Sequence, residues 1–594
     1  DGGGIPEPAM DEVLAIAGLT RKDVDVVVLS RASFPARYFK AGTLKQAEYA
    51  FHKIIGHEKL KDMCSQMQQR GESEPAMLFR EEMFRADFGF KEGVQIVYSN
   101  HHMAHALSAL FYTDWDEALL YTADGCGDNV HYSHRILKNG KLECLFGGEN
   151  MTLQPRRVDS LGLAYGFTTQ ALGYRMNRHE GKLTGLAAFG EPSVAEALGA
   201  HFNVDAKGVI WSDFESDDAM RKAIARMAKG VEPADMAASI QKVLEDTILS
   251  SVRKILENHP VRRIGLAGGV FANVRLNRLL CEETDTDEIF VFPGMGDEGI
   301  TVGGALQYML ERDGLEAWLT HRRRLSTVYL GRDYSGDVDA DMISGGGVTK
   351  LDGDPVEVAA GLISSGKAGA IYQGRMEFGP RALGARSILA NPADAAINAS
   401  LNARLQRTEF MPFAPYVLEE DAAEVFEITD ANRYAAGFMT ITTAVKEEWR
   451  DRIPAVVHVD GTARPQIIRR KDNPLYADIL TAFKAKTGLP VLINTSFNAH
   501  EEPIINTPDE CRKALVDDRV DFEERIYAPV EGTPLGLYLH IPFCRKRCKF
   551  CYFRVYTNKN AQAIADYVET IAEEARMVSR RPGVDGRELE FVYF

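Results

Sequence analysis

A histidine-rich segment between two apolar runs constrains the fold of this chain more than any other feature. The run Val94–Tyr98 predicts a strand, the segment from residue 101 predicts a helix, and the run Glu117–Thr122 predicts a second strand. His101 and His105 are four residues apart among good helix formers, so their imidazoles project from one helix face. Small residues let another element approach that helix closely: Ala104, Ala106, Ser108 and Ala109. A strand, a helix and a strand in succession indicate an α/β fold.

Two aspartates at strand ends can complete a metal shell around these imidazoles. Asp124 follows the strand Glu117–Thr122 in a glycine-rich turn, and Asp297 follows the strand Ile289–Phe292 in another. Two imidazoles with carboxylate oxygens suit Fe(II), Mn(II) or Zn(II), whereas an all-oxygen shell indicates Mg(II) or Ca(II). A single histidine is more often a hydrogen-bonded core residue, but three histidines in five residues followed by a strand-end aspartate favour a site.

Composition places the chain among ordinary globular proteins. Its 594 residues are enough for three or four domains, and 45% hydrophobic and 26% charged residues are typical of this class. The net charge of −16 disfavours a surface that covers nucleic acid or an anionic membrane. No apolar run reaches the ~20 residues of a membrane span and no secretory signal opens the chain, so we expect the cytoplasm.

Both ends of the sequence resemble the ends of a fragment. The chain begins with Asp1 rather than Met, and its last four residues, Phe-Val-Tyr-Phe, predict a strand with no turn after it. We therefore expect truncation at both ends.

Glycine-rich segments of the first half predict an anion or nucleotide site. Gly268 and Gly269 lie between a strand from Ile264 and a helix start, where backbone N–H groups can meet a nucleotide. The same pair also permits tight packing. Lys182 lies between Gly181 and Gly185, which suits an anionic ligand, although a solvated loop lysine fits equally well.

An arginine-rich segment opens the second half, after a glycine- and aspartate-rich linker at 326–354. A helix at 355–365 and the strand Gly369–Tyr372 lead into it. Its three arginines, which lie among glycines in a predicted loop-to-helix segment, are Arg375, Arg381 and Arg386. Guanidinium groups match phosphate bidentately, so an anion pocket is favoured over structural ion pairs. Further candidates are Arg404, Arg407, Arg464, Asn494 and Ser496.

Three of the eight cysteines crowd together near the end of the chain. After a composition change at 528–535, the strand Gly536–Ile541 leads to Cys544, Cys548 and Cys551. Three thiolates at this spacing can hold three corners of a [4Fe–4S] cluster, whereas a zinc knuckle needs a fourth ligand and no Cys or His follows. A helix at 560–580 and the strand Glu588–Phe594 complete a β-loop-α-β unit. The scattered cysteines are expected to be reduced: Cys64, Cys126, Cys144, Cys281 and Cys511.

Residues from about 5 to 527 resemble the O-carbamoyltransferases of nodulation-factor and antibiotic tailoring. The motifs that carry this resemblance are Asn100–Ala106, Gly181–Gly190, Ala267–Asn273, Gly374–Ile388 and Ile493–Asn498. The resemblance implies an actin/sugar-kinase-like (TsaD-like) domain at 1–335, related to the tRNA threonylcarbamoyl transferase subunit but without its N-terminal hairpin and phosphate loop. A YrdC-like α/β domain at 350–527 would follow it.

This resemblance also implies a reaction and roles for individual residues. Carbamoyl phosphate and ATP, with Mg, would give carbamoyl-adenylate in the second domain, and the carbamoyl group would pass to a small-molecule hydroxyl at the iron of the first. His101, His105, Asp124 and Asp297 would hold the iron, which would act as a Lewis acid. From its position off the ligand face, we predict His102 as the base that deprotonates the acceptor hydroxyl, with Lys182 and Arg381 as further catalytic residues. Nucleotide and carbamoyl-phosphate contacts would come from Gly268, Gly269, Asn273, Arg375, Arg381, Arg386, Arg464, Asn494 and Ser496.

Residues 533–594 resemble the start of the coproporphyrinogen-dehydrogenase-like radical S-adenosylmethionine enzymes, through the stretch Tyr538–Phe553. The resemblance implies a partial barrel whose complete form binds a [4Fe–4S] cluster and S-adenosylmethionine. We thus expect a carbamoyltransferase fused to a radical enzyme of the same pathway, with no nucleic-acid or membrane partner and with a homodimer as a possible assembly.

Three other functions fit parts of the sequence. One is tRNA modification through the same adenylate chemistry, which the acidic charge disfavours. Another is a non-catalytic nucleotide-binding module that regulates the radical enzyme. The third is a 2-His-carboxylate oxygenase, which is compatible with the metal ligands alone but is disfavoured by the adjoining nucleotide-type turns.

Overall fold

The structure is a computed structural model of the chain. It describes residues 6–29, 38, 80–128, 130–148, 157–334, 352–405, 411–498, 502–516, 535–538, 561–579 and 589–593. Contacts between residues divide the chain into one unit at Asp1–Val520 and another at Asp521–Phe594. Within the described residues, no helix is both long enough and apolar enough to span a membrane.

The described residues up to 334 contain both helices and strands. The strands are β1 Val26–Leu29, β2 Gln95–Tyr98, β3 Ala118–Gly127, β4 Val130–Lys138, β5 Lys141–Phe146, β6 Phe202–Val204, β7 Ile210–Ser212, β8 Arg263–Ala267, β9 Glu288–Val291 and β10 Tyr329–Asp333. The helices are α1 Glu7–Ile16, α2 Glu81–Asp87, α3 His101–Phe111, α4 Leu161–Ala171, α5 Glu180–Leu186, α6 Ala195–Gly199, α7 Asp217–Met227, α8 Pro233–Asn258, α9 Val274–Glu283, α10 Ile300–Asp313 and α11 Leu315–Thr320.

The described residues after 351 add a second set of elements. The strands are β11 Gly369–Tyr372, β12 Arg375–Glu377, β13 Arg386–Ala390, β14 Ala414–Leu418, β15 Thr443–Ala444, β16 Thr462–Ala463, β17 Gln466–Ile468, β18 Val491–Ser496, β19 Leu535–Tyr538 and β20 Leu589–Tyr593. The helices are α12 Pro355–Ser364, α13 Ala396–Arg404, α14 Glu419–Val425, α15 Asp430–Ala436, α16 Glu447–Arg450, α17 Pro474–Thr487, α18 Pro508–Val516 and α19 Ala561–Ser579.

The first five-stranded sheet has the strand order β5-β4-β3-β8-β9. Strands β3, β4 and β5 are antiparallel neighbours, whereas β3, β8 and β9 run parallel to one another. Parallel strands bring their carboxyl ends to one edge of a sheet. Asp124 near the end of β3, Gly268 after β8 and Asp297 after β9 therefore lie at the same edge.

The turn between β4 and β5 has the sequence Asn-Gly, which by itself is a strong signal for a β-hairpin. Asn139 and Gly140 both have positive φ angles, of 52° and 69°. A two-residue hairpin turn of the type I′ form requires positive φ at both central residues, and Asn-Gly is its preferred sequence.

Helix α3, which carries the histidines, packs closely against α10. A Cβ atom placed on Gly303 of α10 would lie 1.9 Å from the carbonyl oxygen of Ala104. The Ser108 hydroxyl donates to the same carbonyl at 2.7 Å and remains buried. The small residues of this helix therefore admit a close neighbour, as predicted. Asn100 caps α3 by accepting a hydrogen bond from the Met103 N–H at 2.8 Å.

The second five-stranded sheet has the order β11-β13-β18-β14-β17 and is mixed, with only β14 and β17 parallel. Together the two sheets and their helices confirm the α/β class. The predicted loop-to-helix form of the arginine segment is wrong, because residues 378–385 form a loop between two strands and Arg386 begins β13. The glycines and the proline of this loop do not sustain a helix.

The two sheets belong to one unit and share a packed boundary. The ring of Phe290, next to the end of β9, stacks on Tyr434 of α15 at 4.4 Å between centroids. The Asn277 amide donates to the Thr440 carbonyl at 2.7 Å, and the Tyr434 hydroxyl donates to the Tyr112 carbonyl at 2.6 Å. The predicted boundary between the domains, at 335–350, lies outside the described residues.

Residues 521–594 form the other unit, of which three elements are described. Strands β19 and β20 are parallel neighbours, and α19 lies between them in sequence. This arrangement confirms the predicted β-loop-α-β unit. Cys544, Cys548 and Cys551 lie outside the described residues.

Candidate functional site

Four side chains from three separate stretches of the chain meet at the edge of the first sheet. His101 and His105 occupy the first two turns of α3, Asp124 lies on β3, and Asp297 lies in the turn after β9. One ligand atom from each lies within 4.8 Å of those of the other three. The structure thus brings together the four residues that the sequence predicts as metal ligands.

The spacing of the four ligand atoms fits a single ion. The Nε2 atoms of His101 and His105 are 3.2 Å apart and lie 3.4 and 3.3 Å from Asp124 Oδ2. Their distances to Asp297 Oδ1 are 3.6 and 3.8 Å. Ligands held tetrahedrally at about 2.1 Å from one ion lie about 3.4 Å apart. Two imidazole nitrogens with two carboxylate oxygens suit Fe(II), Mn(II) or Zn(II), so the donor set fits the predicted metal.

Burial strengthens the electrostatic interactions among the four side chains of this cluster. Both imidazoles are fully buried, the Asp124 side chain is 18% exposed and the Asp297 side chain is 43% exposed. Burial by itself would raise the pKa of Asp124, but hydrogen bonds and charge from His101 and His105 outweigh it and hold this pKa well below its ordinary value. Asp124 therefore stays anionic, and Asp297 marks the side of the cluster that faces solvent.

Glycines of the surrounding turns let the backbone close around the histidines. A Cβ on Gly127 would lie 2.0 Å from Cδ2 of His101, so only glycine leaves room for this ring. Gly268 has a φ of 102°, and a Cβ there would lie 2.1 Å from the Ala123 carbonyl oxygen. This contact accounts for Gly268 through tight packing, which is the second of the two explanations that the sequence allows. Gly269 is adjacent to the cluster, since a Cβ there would lie 3.2 Å from Asp124 Oδ1.

His102 is directed away from the cluster into a buried polar network. Its Nε2 lies 2.9 Å from the Val130 carbonyl oxygen, and its Nδ1 lies 2.8 Å from the Thr122 hydroxyl. Because a carbonyl can only accept, Nε2 carries the proton and the Thr122 hydroxyl donates to Nδ1. Burial lowers the pKa of His102 well below its ordinary value, with the charges of His101 and His105 acting in the same direction. Both nitrogens are thus occupied, and this position does not suit the predicted role as base.

Lys182 and Asn273, two further residues predicted in the first half, are both buried. Lys182 is 6% exposed and lies within the helix α5, so the solvated-loop alternative for this lysine is wrong. Asn273 caps α9 by accepting from the Leu276 N–H at 3.1 Å, and its amide group also exchanges hydrogen bonds with Gln241. These bonds occupy both ends of the Asn273 side chain, which therefore fixes a helix start rather than offering free groups to a nucleotide.

The three arginines of the second half have different surroundings. Arg375 is exposed and Arg381 is half-buried, whereas Arg386 is fully buried. The Arg386 guanidinium donates to four backbone carbonyls at 2.7–3.4 Å, and it stacks on the Tyr372 ring at 3.8 Å. The fold itself uses these donors, so the structure gives Arg386 a structural role and does not support the predicted phosphate contact.

The remaining candidates of the second half lie on or near β16 to β18. Arg464 is half-buried beside His458, whose pKa falls to about 4 through burial, with the Arg464 charge acting in the same direction. Asn494 is 1% exposed, and the Ser496 hydroxyl donates to Asn498 Oδ1 at 2.7 Å. The Arg404 side chain and Arg407 lie outside what the structure describes.

Two arrangements were not predicted from sequence. Glu377 is 5% exposed, and its Oε1 accepts hydrogen bonds from the N–H groups of residues 383, 385 and 386. A glutamate flanked by Arg and Gly residues gives no such signal. Near the metal cluster, the His131 ring bonds to Asp159 at 2.6 Å and to the Cys126 thiol. The Cys126 and His131 positions follow from the pairing of β3 with β4, but Asp159 lies beyond that hairpin.

Comparisons with known proteins agree with the motifs. Residues 3–306 match the carbamoyltransferase N-terminus family, and residues 360–523 match the carbamoyltransferase C-terminus family. An uncharacterised protein of Methanocaldococcus jannaschii, MJ1058, is 34% identical over 71% of this chain and 71% of its own. Nodulation protein NolO of Bradyrhizobium diazoefficiens is 36% identical over 71% of this chain and 77% of its own. The crystal structure of full-length HypF in the phosphate- and nucleotide-bound form aligns with 37% of this chain and 44% of its own, at 17% identity and a TM-score of 0.23, which is too low to support an argument.

Proposed function

This chain belongs to the carbamoyltransferase family, and from that premise we propose that it activates carbamoyl phosphate with ATP and transfers the carbamoyl group to a hydroxyl of a small-molecule acceptor. The observation that carries the proposal is the convergence of His101, His105, Asp124 and Asp297 at one sheet edge. The acidic charge of the chain favours a small acceptor over tRNA.

The first half would be the place of transfer. A divalent ion held by the four ligands would supply Lewis-acid polarisation of the carbamoyl carbonyl. The chain itself keeps Asp124 anionic and both imidazoles buried, while the 43% exposure of the Asp297 side chain leaves one approach for substrates. His102 has no part in this proposal, because both of its ring nitrogens are hydrogen-bonded in the core.

The second half would bind carbamoyl phosphate and ATP. We assign the phosphate contacts to Arg375, Arg381 and Arg464, which are exposed or half-buried. A guanidinium group binds phosphate in a bidentate manner and stabilises the charge that develops during phosphoryl chemistry. Activation would consume one water molecule: hydrolysis of carbamoyl phosphate releases phosphate and leaves carbamate, and a carbamate oxygen attacks the α-phosphate of ATP, which forms carbamoyl-adenylate and releases pyrophosphate.

Pyrophosphate release tests the proposal without knowledge of the acceptor. The full-length protein is incubated with ATP, Mg and carbamoyl phosphate, and pyrophosphate is measured with and without carbamoyl phosphate. We expect release that depends on carbamoyl phosphate and that falls at least tenfold in Arg381→Ala. Pyrophosphate that never depends on carbamoyl phosphate would contradict the proposal, and ATP binding without turnover would instead favour a regulatory nucleotide-binding module.

A separate proposal concerns the end of the chain. We infer that Cys544, Cys548 and Cys551 hold a [4Fe–4S] cluster in a radical S-adenosylmethionine domain. The parallel pair β19 and β20 with α19 between them is the kind of βα unit that begins an α/β barrel. Anaerobic reconstitution of the full-length protein, followed by iron and sulfide analysis, should give about four of each per chain. Equal loading of Cys548→Ala and the unsubstituted protein would contradict this proposal.

A further inference from the structure

A cavity of about 420 Å³ lies between the first and the second half of the chain, within the unit Asp1–Val520. Its walls come from residues 324–329 of the first half and from α14, α15 and β17 of the second half. The described residues that line it include none of the predicted metal ligands and none of the three arginines assigned to phosphate. Cavities of roughly 300–1,000 Å³ are typical of small-molecule sites in proteins. This cavity is therefore large enough for a ligand that neither proposed site binds.

The cavity is also remote from the predicted metal ligands. Glu288, which lines the cavity, begins β9, whereas Asp297 follows the other end of that strand. The hydroxyl of Tyr434, another lining residue, donates to the carbonyl of Tyr112 just after the last turn of α3, and His101 begins that helix. At 1.5 Å per residue, the 11 residues of α3 span roughly 16 Å. A small ligand in the cavity would therefore not touch the metal cluster.

Two of the three arginines among the lining residues already have carboxylate partners. The Arg324 guanidinium binds Glu288 at 2.9 Å and lies over the Tyr434 ring at 4.1 Å. The Arg469 guanidinium binds Asp472 at 2.5 Å. Because Glu288 and Asp472 line the same cavity, these pairs add little net charge to it.

Three other lining side chains carry charges that no described residue compensates. They are Glu419 of α14 with Asp430 and Arg433 of α15. In the part of the chain that the structure describes, none of these three side chains makes a hydrogen bond or an ion pair. Arg433 is half-buried, whereas Glu419 and Asp430 are exposed. The cavity thus offers one cationic and two anionic groups to a ligand.

Part of the cavity wall is apolar. Its buried apolar residues include Val328 of the first half with Leu383 and Phe438 of the second half. Surface of this kind packs against the alkyl chain of an amphipathic molecule whose charged ends stay with polar groups. The lining therefore favours a ligand that combines an alkyl chain with charges of both signs.

We propose that this cavity binds a free amino acid with a cationic side chain, of the lysine and ornithine class. The carboxylate of such a ligand pairs with the Arg433 guanidinium, which matches a carboxylate bidentately. Its two ammonium groups pair with Glu419 and Asp430, and its alkyl chain packs on the apolar part of the wall. The inference goes beyond the proposed function, because no step of carbamoyl transfer uses this cavity.

Other classes of ligand match these charges less well. A nucleotide or another polyanion would be repelled by Glu419 and Asp430, since like charges in one site are unfavourable. A neutral sugar would compensate none of the three charges. A diamine would match the two carboxylates but would place no anion on Arg433. A ligand that carries one carboxylate and two ammonium groups is therefore favoured over all three classes.

Three related molecules test which groups of the ligand are recognised. Calorimetry on the full-length protein measures the binding of L-lysine, L-norleucine and cadaverine. Norleucine keeps the carboxylate and the chain of lysine but lacks the side-chain ammonium group, whereas cadaverine keeps both ammonium groups but lacks the carboxylate. We expect lysine to bind at least tenfold more tightly than either of the other two molecules.

Variants test whether the binding occurs in this cavity. Arg433→Met removes the partner of the carboxylate, so we expect the affinity for lysine to fall at least tenfold and the affinity for cadaverine to stay unchanged. Glu419→Gln removes one partner of the ammonium groups and should lower the affinity for lysine at least threefold. Glu420→Gln is the matched control for Glu419→Gln, because it changes an exposed glutamate in the same helix turn that does not line the cavity. If Arg433→Met does not fold, this matched pair of exposed positions still decides the proposal.

Three outcomes would overturn the proposal. One is that lysine shows no binding at concentrations up to about 10 mM. Another is that cadaverine binds as tightly as lysine, which would mean that the carboxylate is not recognised. The third is that Glu419→Gln and Glu420→Gln have the same affinity for lysine, which would place the binding elsewhere. None of these measurements depends on pyrophosphate release, so failure of the proposed function and failure of this inference are distinguishable.

Discussion

Around the first sheet, four predicted ligands from three stretches of chain converge, whereas around the second sheet the three predicted arginines of one segment differ in burial. His101, His105, Asp124 and Asp297 bring their ligand atoms within 4.8 Å of one another. By contrast, Arg375 is exposed while Arg386 is buried among carbonyls. The backbone of a helix or of a parallel strand fixes the direction in which its side chains point, so convergence of such residues can be predicted. The backbone of a loop does not fix these directions in advance.

The first prediction tests how closely the backbone fits the His101 ring at the candidate metal site. Gly127→Ala puts a methyl group 2.0 Å from the His101 ring, so the ring or the strand must move. We expect loss of metal binding and destabilisation of roughly 1–3 kcal/mol or more, measured by metal analysis and urea unfolding. Gly125→Ala is the matched control, because a Cβ there lies 3.8 Å from its nearest neighbour, Leu163. Equal metal content in the two variants would show that the close fit is not required.

The next prediction separates the two regions by their chemistry. His105→Ala removes one of four ligands, so we expect affinity for Fe(II) or Zn(II) to fall more than about 100-fold, measured anaerobically by competition with a chelating dye. Pyrophosphate release by the second half should stay within about twofold, since no residue assigned to it changes. A parallel loss of pyrophosphate release would mean that the two regions do not act separately.

A third prediction sharpens the contrast within the arginine segment. Arg386→Met removes the donors to four carbonyls from a fully buried position, and we expect a loss of about 3–5 kcal/mol in the free energy of unfolding. Arg375→Met changes the same residue type at an exposed position and should stay within about 0.5 kcal/mol. Denaturant unfolding compares the two, and similar losses would contradict the structural role of Arg386.

The fourth prediction is a pH dependence of stability at His131, close in sequence to the predicted ligand Asp124 on the paired strand. Burial opposes the charge on His131, but hydrogen bonds to Asp159 and Cys126 raise its pKa to about 9. The stabilisation is therefore complete below the ordinary histidine pKa of about 6.5 and is lost as the pH rises through 9. We expect the unfolding free energy to fall by about 3 kcal/mol more in the unsubstituted protein than in His131→Gln between pH 6 and pH 10. Parallel pH profiles would show that His131 is neutral in the folded state.

Much of the first sheet and its cluster could be predicted because the signals are periodic. Helix spacing placed His101 and His105 on one face, and parallel strand ends brought Asp124 and Asp297 to one edge. The Asn139-Gly140 turn has the geometry that its sequence demands. Each of these depends on backbone geometry that a short stretch of sequence determines.

Other residues could not be predicted because their roles depend on distant partners. The sequence predicts Asn273 as a nucleotide contact, but its amide donates to Gln241, which lies on a different helix. The sequence predicts Arg386 as a phosphate ligand, but its guanidinium donates to backbone carbonyls that include that of Asn506, 120 residues away. Glu377 gave no signal at all, since its three partners are backbone N–H groups that only the folded loop brings together.

The close packing of Gly303 against the Ala104 carbonyl limits how the four predicted metal ligands can be spaced. Helix α10 begins only three residues after Asp297. The position in which this helix packs against α3 therefore also determines the distance between the Asp297 carboxylate and the two imidazoles. A methyl group at residue 303 would push α10 away from α3. This would move Asp297 away from the other three predicted ligands, although none of the four had been substituted. The spacing of the four predicted ligands is thus set in part by a residue that is none of them.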